Sequence, residues 1–91
     1  VGLGMQQFET DKSFNIYPNP SSGNISISCF VIPKESITAK VYDLLGRIVH
    51  QELLNFSNKE AVLNLNIPTG SYILELKDQD GNVQRERIVI E

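Results

Sequence analysis

Apolar and polar residues alternate with a period of two along most of the chain. Ile25, Ile27 and Cys29 share one parity, while Ser26 and Ser28 take the other. Ile37, Ala39 and Val41 repeat the pattern around Thr38 and Lys40, and Ala61, Leu63, Leu65 and Ile67 form a third set. Tyr72, Leu74 and Leu76 are opposed by Glu75 and Lys77, and Ile88 and Ile90 stand beside Arg87 and Glu91. A pleated strand sends successive side chains to opposite faces, so each run predicts a strand with one face on a core and the other in water. The segment 48–54 is less regular: Val49 and Leu53 are expected inward, His50 and Glu52 outward. Seven strands follow, near 14–17, 24–31, 37–43, 48–54, 60–67, 71–77 and 82–90, with no helical stripe to compete. The expected core includes Ile25, Ile27, Val41, Leu63, Leu65, Tyr72, Leu74 and Ile88.

The punctuation fits this division. Tyr17-Pro18-Asn19-Pro20 fixes two φ angles and biases the residue before each proline toward extended backbone. Ser21-Ser22-Gly23-Asn24 reads as a turn, and Leu45-Gly46 and Asp80-Gly81 read as hairpin turns in which glycine supplies positive φ. Short strands separated by turn signals at this spacing predict an all-β, seven-stranded antiparallel β-sandwich over residues 14–91. Residues 1–13 lack sustained periodicity and are expected to form a linker. Because the chain starts at Val1 without a signal-peptide pattern, it reads as a module of a longer protein.

Composition removes several function classes. The 91 residues carry a formal net charge of −3, without a lysine/arginine cluster of the kind that grips nucleic acid. The single cysteine, Cys29, permits no internal disulfide and sits on the apolar parity, where an inert buried thiol is expected. The single histidine, His50, leaves nothing for a catalytic triad or a metal site. Asp78-Gln79-Asp80-Gly81-Asn82 superficially resembles a calcium loop, but its glycine is misplaced and position 89 is valine, so a tight hairpin is the better reading. Asn24-Ile25-Ser26 and Asn55-Phe56-Ser57 match the glycosylation sequon by chance expectation in an Asn/Ser-rich chain. No catalytic residue, metal ligand or cofactor site is expected, and the chain is read as non-enzymatic.

Four motifs, taken in order, carry a resemblance. Phe14-Asn15-Ile16-Tyr17-Pro18-Asn19-Pro20 with Gly23-Asn24-Ile25-Ser26-Ile27 resembles the opening of the C-terminal sorting domains of type IX secretion in Bacteroidetes. Val41-Tyr42-Asp43-Leu44-Leu45-Gly46-Arg47-Ile48-Val49 resembles that family's central hairpin, and Ile67-Pro68-Thr69-Gly70-Ser71-Tyr72-Ile73-Leu74 its Leu-Pro-x-Gly-x-Tyr motif. Arg87-Ile88-Val89-Ile90 resembles its closing basic-then-apolar strand, with one departure: the basic residues are Arg85 and Arg87, and the chain finishes on Glu91.

The resemblance implies an immunoglobulin- or fibronectin-like sandwich that acts as an address label. Such domains direct a passenger from the periplasm across the outer membrane to the cell surface or medium. The implied partners are the outer-membrane translocon, a sortase-type peptidase that removes the domain, and the N-terminal passenger; residues 1–13 would contain or adjoin the cleavage region. Pro68, Gly70, Tyr72, Arg85, Arg87 and Ile88 are the candidate recognition residues. Tyr17, Pro18, Asn19, Pro20, Asp43, Gly46 and Arg47 are expected to build structure. Outward residues such as Ile73 and Val89 are further docking candidates, and exposed strand edges leave room for a homodimer. The competing reading is an immunoglobulin-like module binding carbohydrate or protein; the absence of tryptophan weighs against aromatic sugar platforms.

Overall fold

The structure, a computed structural model, describes residues 14–18, 20–30, 33 and 36–91. Its strands are β1 (Phe14–Tyr17), β2 (Asn24–Cys29), β3 (Ile37–Tyr42), β4 (Ile48–Leu54), β5 (Glu60–Asn64), β6 (Gly70–Lys77) and β7 (Val83–Ile90). One sheet has the order β1-β2-β5 and the other β4-β3-β6-β7, with antiparallel pairing throughout. The chain is an all-β sandwich, as the alternation predicts. The expected linker at 1–13 and the expected turn residue Asn19 lie outside the described residues.

The inward parities of the two sheets merge into one core of Ile25, Ile27, Leu63 and Ala61 from the smaller sheet and Val41, Leu74, Leu76 and Ile88 from the larger. All eight expected core residues are buried. Strands β2 and β5 end earlier than expected, at Cys29 and Asn64. Leu65 nonetheless stays in the core beyond the end of β5, because its N–H donates to the Gly23 carbonyl at 2.7 Å.

Strand β4 reverses its expected parity. Pairing of Ala39 with Glu52 and Val41 with His50 puts the histidine and glutamate on the inward side, while Val49 and Leu53 are exposed. The cause is position in the sheet. A three-stranded layer cannot cover a four-stranded one completely, so on this edge strand only Leu54 reaches the core. His50 and Glu52 lie half-buried at the rim, where the described residues of the smaller sheet cover them only in part, and bond each other at 2.7 Å. An edge strand without a full facing layer needs no apolar parity, and its apolar residues say little about direction.

The segment read as a simple turn at 21–24 does more than reverse the chain. Ser21 lies parallel to β7: its N–H donates to the Val89 carbonyl at 2.9 Å, and its carbonyl accepts from the Glu91 N–H at 2.8 Å. Its buried hydroxyl accepts from the Gly23 N–H and donates to the Asn24 carbonyl, both at 2.9 Å. Farther along, the Gln84 amide both donates to the Phe14 carbonyl and accepts from its N–H. The first and last strands are thereby closed against each other.

Two stability results follow. Leu74→Ala should cost about 2–5 kcal/mol in a urea titration, since it empties part of a fully buried site. Gly23→Ala should cost about 1–3 kcal/mol, because a Cβ there would sit 2.6 Å from the Leu65 carbonyl oxygen at a φ of +121°. Gly46→Ala, with positive φ but open space around it, should cost less than Gly23→Ala; the reverse order would refute the close-approach argument.

Candidate recognition face

With one side of each strand committed to the core, the opposite side, the edges and the loops are what the described residues present to solvent. The outer face of the larger sheet is built in cross-strand rows. Gln51, Lys40, Glu75 and Arg85 form one row, and Tyr42, Ile73 and Arg87 lie in the next. Lys77 and Val89 extend the same face toward its two ends. Among the described strand residues of this face, Lys40, Lys77, Arg85 and Arg87 are the bases and Glu75 the single acid. A chain of net charge −3 therefore gathers positive charge on one face.

Glu75 anchors the centre. Although it points away from the core, it is only 7% exposed, because neighbouring side chains fold over it. Arg85 Nε donates to its Oε2 at 2.9 Å, and the Tyr42 hydroxyl donates to its Oε1 at 3.3 Å. Burial, then the charge and hydrogen bond of Glu75, push the Tyr42 phenol up, so it stays a neutral donor. An open groove of about 470 Å³ runs over this floor, lined by Tyr42, Asp43, Leu44, Gly46, Ile73, Glu75 and Arg85. A second, of about 300 Å³, lies toward the other end among Thr38, Lys40, Gln51 and Lys77.

The expected recognition residues divide. Arg85 and Arg87 are exposed on this face, Arg87 Nη2 reaching the Ser71 hydroxyl at 3.3 Å. Ile88 is 1% exposed and Tyr72 7%, so both side chains lie in the core of the folded domain. The Tyr72 hydroxyl donates to the Pro68 carbonyl at 2.5 Å, and a Cβ added at Gly70 would meet the tyrosine ring at an ordinary contact distance of 3.7 Å. A tyrosine early in a strand, bonded back to the backbone upstream, is a recurrent corner device in immunoglobulin-type sandwiches. The Pro-x-Gly-x-Tyr motif thus builds the entry to β6. Tyr17, from the first motif, is partly exposed and donates to Glu60 Oε2 at 2.7 Å, tying β1 to β5 across β2.

Two hairpins share one template. In 43–47, Asp43 Oδ1 accepts from the Leu45 and Arg47 N–H groups, and Oδ2 from Arg47 Nε at 2.8 Å. In 78–82, Asp78 Oδ1 accepts from the Asp80 and Asn82 N–H groups, and Oδ2 from the Asn82 amide. Gly46 and Gly81 follow at φ of +90° and +91°. Each loop is thus a turn closed by a left-handed glycine, with an aspartate satisfying its backbone. The four-residue spacing Asp-x-x-Gly could have disclosed the pair. The rows on the sheet face had no such local signal, because they depend on which distant strands pair.

Hydrogen bonding from the Arg47 N–H, reinforced by the guanidinium, holds Asp43 below the usual carboxylate range. The Asn82 side chain and N–H do the same for Asp78. With both folded values lowered, their stabilisation is complete above the ordinary value of 3.8 and is lost as pH falls through the folded values. In urea titrations from neutrality down to about pH 2.5, the destabilisation caused by Asp43→Asn should shrink on acidification. A penalty independent of pH would refute this assignment.

Comparison with known proteins converges on one family. A profile described as "Secretion system C-terminal sorting domain" matches residues 15–91. An ulvan lyase of Nonlabens ulvanivorans is 27% identical over 78 residues, covering 86% of this chain and 14% of that protein. An endo-acting ulvan lyase of Formosa agariphila is 24% identical over 75 residues, covering 82% and 14% respectively. The chain thus spans about a seventh of the length of the curated relatives it matches. A Bacteroides vulgatus protein with an immunoglobulin-like β-sandwich superposes with a TM-score of 0.71 at 13% identity, covering 91% of this chain and 88% of that one, a likeness of fold alone.

Proposed function

The chain belongs to the family of secretion-system C-terminal sorting domains, and on that premise we propose that its label is read from the outer face of the four-stranded sheet. The domain is a type IX sorting signal: it directs the protein that carries it across the outer membrane to the cell surface or the surrounding medium. Its reader is the outer-membrane translocon, and the contact is electrostatic. Lys40, Lys77, Arg85 and Arg87 meet an acidic surface, and Ile73 and Val89 supply apolar area between the charges. A sortase-type peptidase then cuts in or beside residues 1–13 and releases the passenger. The domain itself performs no catalysis. Self-association through an open strand edge completes the set of partners.

The observation that carries this reading is the segregation of charge. Four bases and one nearly buried acid share a face of an acidic chain, and none of the four bases is needed to fill the core. Arg85 is the least suitable of them for a charge reversal. It neutralises Glu75, which is 7% exposed, so Arg85→Glu would set two carboxylates together and disturb the fold.

The test fuses the chain behind a signal peptide and a fluorescent passenger in a Bacteroidetes host. Lys77→Glu with Arg87→Glu should lower export by about tenfold or more. The thermal midpoint of the purified variant should move by no more than about 3 °C, as expected for exposed charges. Undiminished export by this variant would refute electrostatic reading of the face. Export of the parent fusion in a strain lacking the translocon would refute its dependence on that machinery.

A further inference from the structure

We propose that β4 is a self-complementary edge, through which two copies of this chain pair antiparallel about a two-fold axis at Gln51. The strand stands at the rim of the four-stranded sheet with no described neighbour on its outer side. Its sequence is symmetric in chemistry about its middle. Pairing Gln51 with Gln51 of a second copy sets His50 opposite Glu52 and Val49 opposite Leu53, each pair occurring twice. The two halves of the match fall on different faces. Val49 and Leu53, 38% and 59% exposed, would cover each other on the outer side. His50 and Glu52, half-buried on the inner side and already 2.7 Å apart within one chain, would exchange partners into a four-residue hydrogen-bonded cluster.

Directly opposed apolar and opposite-charge pairs are the contacts that stabilise adjacent strands. A two-fold axis requires that each residue's partner also partner it, a condition this register satisfies. The bulge falls at Val49, the end of the stretch, between the Val41–His50 and Tyr42–Ile48 pairs, leaving His50 to Leu54 in regular register with β3.

The edges at β7 and β5 do not offer this match. Self-pairing of β7 about Glu86 would oppose Arg85 to Arg87, and Ser21 and Gln84 already bridge that edge to the start of the chain. Self-pairing of β5 about Val62 would oppose Glu60 to Asn64. The resulting assembly is a continuous eight-stranded sheet that leaves the basic rows of both copies on the same side.

Sedimentation equilibrium of the 91-residue chain tests the pairing. A reversible dimer should form below about 1 mM. His50→Glu and Glu52→His, each confirmed folded by circular dichroism, should each weaken it by about fivefold or more. An equimolar mixture of the two variants should recover association as a heterodimer, since each then offers the charges the other lacks. A parent chain that stays monomeric throughout would overturn the proposal. So would a dimer indifferent to both substitutions, or a mixture that does not recover.

Discussion

The structure depends on one constraint: a two-layer sandwich this small has a single core, and one face of nearly every strand must fill it. Ile25, Ile27, Leu63, Leu74, Leu76 and Ile88 are all but inaccessible, and no internal disulfide is available to take their place. Hydrophobic burial is therefore the main support of the fold. This division separates two kinds of information within the same strands. On β6, Tyr72, Leu74 and Leu76 stabilise the sandwich while Ile73, Glu75 and Lys77 face outward. On β7, Ile88 and Ile90 anchor, and Arg85 and Arg87 project.

The same constraint explains which parts were legible beforehand. Where a strand is covered on one side only, burial imposes a period of two, and the alternation in β2, β3, β6 and β7 reports it directly. The hairpins at 43–47 and 78–82 were legible because an aspartate and a left-handed glycine act within five residues. What escaped has a common cause, namely that it depends on pairing between distant segments. Residues 21 and 89 come together only in the folded chain, as do Tyr42, Glu75 and Arg85. Strand β4 misled for the complementary reason: at a rim that the described residues cover only in part, its apolar residues need obey no parity.

The family motifs also gain distinct physical meanings. Pro68, Gly70 and Tyr72 shape a corner, while Asp43, Gly46 and Arg47 close a hairpin that walls one end of a groove. The segment after the Tyr-Pro-Asn-Pro motif holds β7 through Ser21. A motif can thus mark membership of a sorting family while acting only on the fold. Tyr72 and Ile88, two of the expected contacts, are buried in the folded domain. Arg87 and Lys77 are available while it stays folded.

Site-specific photo-crosslinking in cells tests this account most directly, with a bulky passenger arresting export midway. The probe would be placed in turn at Ile73 and Val89 on the outer face of the larger sheet, at Ser26 and Val62 on the outer face of the smaller one, and at Leu74 in the core. Crosslinks to the translocon should arise from Ile73 and Val89 alone. Crosslinks from Ser26 and Val62 would place the reader on the wrong sheet, and a crosslink from Leu74 would mean that the label is read unfolded.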